Sequence, residues 1–220
     1  MGDQGDQEGA GRTRRRGAAL VAAIHAAALA ELTEVGLARM TMEGVARRAG
    51  AAKTSLYRRW HSPHELLLDA IQVTYPQEVV SAAADDLRGD LIRALGRLRE
   101  WMDTEQARAV AAIMIERDRY PDLVAALFDR VFDPAGGRVT RVVLRHYAER
   151  GAIDPGRLTP VVTDIGEALV LKFANDTGRL PSDEELANIV DQAILPAVGI
   201  HPGWPGKETP PAPAPETRPR

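Results

Sequence analysis

An all-α fold is predicted for this 220-residue chain by two observations: apolar residues recur three and four positions apart almost throughout, and clusters of Gly and Pro punctuate the runs. Nothing in it resembles a strand-rich domain. With 45% hydrophobic residues the chain can bury a proper core. The expected order is a disordered tail over 1–11, a compact three-helix unit over 12–61, a larger helical domain over 62–201, and a second tail over 202–220.

The start, MGDQGDQEGAG, is acidic and glycine-rich, the opposite of a secretory signal's basic beginning and apolar middle. Beyond it, Val21, Ile24, Ala28, Leu32 and Val35 form the stripe of a first helix, and Gly36 suits the left-handed residue that follows a helix. Thr41 is placed to cap a short second helix, with Glu43 in its first turn and Gly50 at its end. A third helix follows in AGAAKTSLYRRW (49–60). SPHE at 62–65 then opens a fourth, with Ser62 as cap, Pro63 at the first helical position and Glu65 reaching back as a capping box. Further helices are expected near 63–83, 85–103, 105–117, 121–132, 137–151, 158–177 and 183–199. They are separated by DPAGG (133–137), GAIDPG (151–156) and TGRLPSD (177–183), where Ser182 or Asp183 caps the last helix. The end, GWPGKETPPAPAPETRPR, is too rich in proline to pack.

Composition excludes several functions. Without cysteine there is no disulfide, thiol nucleophile or thiolate metal site, which suits a cytoplasmic protein. The Ala-rich stretch after Arg16 is interrupted by His25 and Glu31 and is expected to fall short of a membrane span. Of the five histidines, His61 and His64 with Glu65 lack a further nearby ligand, and His146 with Glu149 reverses the order of the di-metal bundle motif. No Gly-rich phosphate loop, GxSxG elbow or HExxH occurs. No metal, cofactor or enzymatic activity is expected.

The net charge of -3 conceals a polarised chain. Residues 12–61 carry ten Lys or Arg against three acids, whereas residues from 62 onward carry 18 bases and 25 acids. That asymmetry suits a polyanion-binding headpiece on an acidic body. Two helices joined by a tight glycine turn make a helix-turn-helix unit, whose second helix enters the major groove. Here Ala46 permits close approach, Gly50 takes the turn, and Val45, Ala49 and Leu56 point into the shared core. Lys53, Thr54 and Ser55 then offer short or flexible polar groups to base edges at the start of the third helix. Tyr57, Arg58 and Arg59 lie toward flanking phosphates, and Trp60 turns inward onto the first and fourth helices. By itself such a stretch is equally the solvated face of an amphipathic helix.

The run TMEGVARRAGAAKTSLYRRWHSPHELLL (41–68) resembles the DNA-binding domain of the TetR family of bacterial transcriptional regulators. The resemblance is specific over about residues 15–70 and architectural beyond. It implies that Thr41 caps helix two and touches a phosphate, that Lys53, Thr54 and Ser55 read bases, and that Tyr57 and Arg59 bind phosphates. Two positions depart from the family pattern: Ala52 replaces a serine that caps the recognition helix, and Pro63 replaces a lysine. The basic cluster RTRRR (12–16) is either an arm along the DNA or a solvated tail.

The resemblance also implies a homodimer, a small-molecule effector bound in the body, and a pseudo-palindromic operator released on binding that ligand. Candidate pocket residues are Trp101, Met114, Phe132 and Phe173, bulky or adaptable side chains that are as readily plain core. Candidate dimer residues are Ile165, Leu169, Leu186, Ile189, Val190 and Ile194, on the apolar stripes of the last two helices. The rival readings are a helical small-molecule-binding dimer without an operator, and a DNA binder that responds to no ligand.

Overall fold

Caps and glycines set the boundaries of the helices seen in the computed structural model, which describes residues 5–76, 83–132 and 139–200, with side chains from residue 17 onward. Helix α1 (Gly5–Val35) ends at Gly36, whose φ of 75° only glycine adopts without strain. Helix α2 (Met42–Ala49) is followed by Gly50 at φ 60°, and the five-residue α3 (Lys53–Tyr57) leads into α4 (Pro63–Gln72). The body continues with α5 (Leu87–Met102), α6 (Glu105–Ile115) and α7 (Pro121–Leu127). A π turn at Phe128–Phe132 extends α7 and precedes α8 (Val139–Glu149) and α9 (Pro160–Thr177). Last come α10 (Asp183–Ile189), a π turn at Val190–Ile194 and α11 (Leu195–Ala197). Among the described residues there is no strand.

Several boundaries differ from expectation. The helical backbone of α1 begins at Gly5, so residues 5–11 are helix and residues 12–16 continue it rather than forming a separate arm. Residues 17–35, at a mean hydropathy of 1.5, also have the length and composition of a membrane span, contrary to the sequence reading. Ile24, Ala27, Ala28 and Leu32 of this stretch are buried, and α1 packs on α2 and α4, which accounts for its apolar character. Helix α4 stops at Gln72, short of the expected 83, because Pro76 disfavours helical geometry before it. DPAGG and the proline-rich end lie outside the described residues.

The final helical stretch buries Leu186, Val190, Ile194 and Val198 at 1%, 0%, 0% and 3% exposure. Fourth residues drift by about 40° per step around an α-helix, and the wider π turn takes up that drift. Their partners are α5 and α9 of the same chain. Leu186, Val190 and Ile194, read from sequence as dimer residues, are therefore core of the protomer and offer no area to a second copy. Ile165, Leu169 and Ile189 are half-buried, and Val161 (74%) and Leu171 (49%) of α9 face outward.

Buried polar contacts fix how the body helices sit on one another. Asp90 of α5, wholly buried, accepts from the Tyr147 hydroxyl of α8 at 2.7 Å and pairs with Arg93. Tyr147 in turn accepts from the Asp86 amide at 3.1 Å. Burial, then the bond to Asp90, pushes the Tyr147 phenol up to about 12. Glu167 of α9 accepts from the Thr140 amide at 3.2 Å, capping the start of α8 from a neighbouring helix. Gly166 beside it leaves no room for a side chain, since an added Cβ would lie 2.7 Å from Ile194 Cδ1 and 3.0 Å from Thr140 Oγ1. Of the two caps the sequence offered, Ser182 and Asp183, it is Ser182 that caps α10, and it does so in a reciprocal box with Glu185 that the sequence reading had not named.

Two predictions follow from these contacts. Tyr147→Phe removes the hydroxyl that bonds the buried Asp90 Oδ2 and the Asp86 amide, leaving Arg93 on the other Asp90 oxygen, and is expected to lower unfolding stability by about 1–3 kcal/mol, read by urea denaturation. Glu185, bonded by the Arg179 guanidinium and the Ser182 amide, titrates at about 2 rather than 4.5. A depressed carboxylate stabilises the fold above its unfolded pKa, and that contribution disappears as pH falls from 4.5 toward 2. Arg179→Gln should therefore flatten the pH dependence of stability within that window while leaving neutral-pH spectra unchanged.

Candidate nucleic-acid interface

Five residues are too few for a stable helix, so α3 takes its orientation from what its apolar side touches. Leu56 is fully buried, and Trp60, just beyond the helix, is 4% exposed. The Trp60 indole Nε1 donates to Asp69 Oδ2 of α4 at 2.8 Å, and its ring meets His25 of α1 edge-on at 5.7 Å. His25 Nε2 lies 3.2 Å from the same Asp69 oxygen. One carboxylate thus ties α1, the end of α3 and α4 into a single joint. The inward Trp60 was expected from sequence; the roles of His25 and Asp69 were not.

A second joint sets α2 against α1. Glu31 of α1 is 3% exposed and accepts from Arg48 of α2 at 3.3 and 3.4 Å, while Arg48 also pairs with Glu34. The Glu31 carboxylate lies against Gly44, where an added Cβ would come within 1.8 Å of Oε1. Gly44 is thus glycine for space rather than for backbone conformation. Thr41 caps α2 by accepting from the Gly44 amide at 3.0 Å. Ala52 gives α3 no side-chain cap, as its identity requires. At α4, Ser62 Oγ accepts from the Glu65 amide at 3.1 Å, but the Glu65 carboxylate takes the His61 amide at 2.7 Å instead of the Ser62 amide. The expected capping box is therefore displaced by one residue, gripping the chain just after α3.

With those joints made, Thr41, Lys53, Thr54, Tyr57, Arg58 and Arg59 are exposed and Ser55 is half-buried. Successive residues sit about 100° apart on a helix, and Lys53, Thr54 and Ser55 diverge accordingly. Lys53 pairs with Glu43 of α2, a contact the sequence reading did not foresee. The bond between them holds the Glu43 carboxyl below and the Lys53 ammonium above their ordinary values. Ser55 with Arg58 and Arg59 lines a groove of about 470 Å³ whose other wall is Gly17, Leu20, Val21 and Ile24 of α1. Tyr57 is 47% exposed, and Thr54 stands outward between the two sides.

The proposed pocket residues do not all converge. Trp101 is buried and meets Tyr75 at 5.2 Å; Tyr75 meets Phe132 at 5.0 Å, and Phe132 meets Phe128 at 5.2 Å. Met114 packs on the core from α6. Phe173 is apart from that cluster: its ring lies under the Arg179 guanidinium at 4.8 Å, so it is covered by a charge rather than facing an apolar interior. Tyr75 and Phe128 were missed, and the signal for Tyr75 was its aromatic ring just before Pro76, after the fourth helix.

A helix-turn-helix with an outward cationic α3, mounted on a wholly helical body, defines a transcription-regulator architecture. Comparison with known proteins names the family. A family model described as "Bacterial regulatory proteins, tetR family" matches residues 24–70, and one described as "Tetracyclin repressor-like, C-terminal domain" matches residues 82–193. A protein of Mycobacteroides abscessus named DNA-binding transcriptional repressor TetR is 32% identical, over 86% of this chain and 97% of its own. An uncharacterized HTH-type transcriptional regulator of Mycobacterium tuberculosis H37Rv is 30% identical over 70% of this chain and 75% of its own. The chain belongs to the TetR family of transcriptional regulators.

Solved structures agree on the fold. One described as a TetR-family regulator from Mesorhizobium loti superposes with a TM-score of 0.58 at 22% identity, covering 83% of this chain and 96% of that one. A SmeT–triclosan complex superposes at 0.50 and 22% identity, covering 90% and 100%.

Gly44→Ala is expected to push the Glu31 carboxylate away from Arg48 and to lower stability by about 1–3 kcal/mol, measured by thermal unfolding. Gly17→Ala, which meets no atom within 4 Å, is the matched control and should leave the midpoint unchanged or slightly raised.

Proposed function

We propose that the chain is a cytoplasmic, homodimeric, one-component repressor that binds a pseudo-palindromic operator through residues 12–61 and releases it when a small molecule binds within residues 62–201. The observation that carries this reading is the division of α3 and the turn after it: Leu56 and Trp60 are buried, while Lys53, Thr54, Tyr57, Arg58 and Arg59 remain exposed. In this reading Lys53, Thr54 and Ser55 meet base edges, and Thr41, Tyr57, Arg58 and Arg59 meet phosphates. Repression is supported by the M. abscessus relative, which is named a DNA-binding transcriptional repressor.

Dimerisation is supported by the outward Val161 and Leu171 of α9, with Ile165 and Leu169 half-buried on the same helix and Ile189 on α10. Two headpieces set about 34–36 Å apart engage successive major grooves on one side of a duplex. Ligand response is supported by the triclosan-bound neighbour and by the aromatic cluster of Tyr75, Trp101, Phe128 and Phe132. Trp101 Nε1 in that cluster is buried without a hydrogen-bond partner among the described residues, a donor suited to an acceptor on a ligand. The inducer acts by preferring a dimer state whose headpieces no longer fit the operator.

Selection of duplexes from a random pool by the full-length protein should recover a palindrome-like site, and affinity for it should exceed that for scrambled DNA at every salt concentration. Equal affinity for both sinks the operator. Tyr57→Phe should weaken binding to all duplexes alike, whereas Lys53→Ala should relax preference at one base position in each half-site.

A further inference from the structure

We propose that Glu43 sets the sequence discrimination of Lys53, holding its ammonium at the α2–α3 corner so that it meets an acceptor at one base position and is withheld from the phosphates. This rests on the DNA-binding reading of α3 and adds a residue that does not itself read a base. Lys53 is the first residue of α3 and Glu43 the second of α2, and their side chains pair across the turn with about half of each exposed. The pair stands on the side of the headpiece where Lys53, Thr54 and Tyr57 are open to solvent.

Two physical features make the contact more than a surface ion pair. A cation at the first position of a helix opposes the helix dipole, and α3 has no side-chain cap to offset it. The Glu43 carboxylate supplies the missing negative charge beside that terminus. Lysine also has a long flexible stem and three donors on its ammonium. One donor given to Glu43 fixes the stem and leaves two for an acceptor that lies within the reach of that one posture.

The alternative posture explains the consequence for specificity. A loose lysine sweeps to whichever phosphate is near, in any register of protein on DNA, and each such contact releases a counterion without reading sequence. Held by Glu43, the ammonium and the carboxylate are together neutral and add nothing to that term. Weakened competition from non-specific DNA therefore comes from Glu43, and base contact comes from Lys53. Simple competition between Glu43 and DNA would not do this, because a carboxylate that must be abandoned in every complex lowers specific and non-specific affinity alike. The proposal requires that the pair persist in the operator complex.

The test uses full-length wild type, Glu43→Gln, Lys53→Ala and the double variant. Each is titrated with the selected duplex and a scrambled one between 50 and 200 mM salt, and thermal midpoints are recorded for all four. For Glu43→Gln on scrambled DNA, the slope of log affinity against log salt should steepen by about 0.9, equivalent to roughly a threefold gain at the lower salt. The ratio of selected to scrambled affinity should fall by at least the same factor, and adding Lys53→Ala should restore the wild-type slope. A purely structural Glu43 would move the midpoint without moving slope or ratio, and that result overturns the proposal. So does an equal change on both duplexes. If wild type itself fails to distinguish the duplexes, the operator reading falls and this inference with it; if wild type distinguishes them and Glu43→Gln does so equally well, this inference alone is refuted.

Discussion

The arrangement of the headpiece depends on one shared acceptor, the Asp69 oxygen that lies against both the Trp60 indole and His25. Helix α3 is too short to hold itself and has no cap, so its direction is whatever Leu56 and Trp60 impose. A large indole buried between α1 and α4 fixes that direction only if its N–H is satisfied, since a buried orphan donor costs roughly what the whole cap of a helix contributes. Asp69 satisfies it and recruits His25 from the first helix. The Glu31–Arg48 contact performs the same service for α2, and Gly44 is the absent side chain that lets it form. Orientation of the outward residues is thus decided on the inward side.

The body uses the same device with different partners. Asp90 and Tyr147 join α5 to α8, and Glu167 joins α9 to the second amide of α8. Buried polar contacts of this kind are weak arguments for stability, because two apolar residues could pack as well, but they penalise any shifted arrangement of helices that leaves one partner alone. Exposed pairs, such as Arg88 with Asp191 at 2.7 and 2.8 Å, add little to that selection. Helix α4 bridges both halves, touching α1 on one side and α6, α7 and the π turn at Phe128–Phe132 on the other, and α1 itself also meets α6.

What the sequence disclosed was chiefly local. Thr41, Ser62, Ser182, Gly36 and Gly50 act within three or four residues of themselves, so their types and spacing suffice to place helix ends. The partners of Glu31, His25 and Asp90 lie 17, 44 and 57 positions away, and no periodicity announces them. Apolar stripes raise a related ambiguity. Period counting reveals that Leu186, Val190 and Ile194 are covered, yet not whether the cover is the same chain or a copy of it, and here it is the same chain. At the candidate interface, the residue types on α3 were legible, whereas the divergence of Lys53 toward α2 and Ser55 toward α1 emerges only when the short helix is set between its neighbours.

The missing cap at Ala52 has a further consequence for how α3 behaves before it meets a partner. A single helical turn with an unsupported amino end and a solvent-facing side has fewer buried contacts to hold its amides closed than the long, partly buried α1 and α4. Settling it into a groove removes that freedom, and the free energy of ordering is subtracted from every complex, matched or mismatched. A cost levied equally on every complex changes the lifetime of all of them and the preference among none, so any selectivity has to come from the side chains and not from the looseness of the turn that carries them.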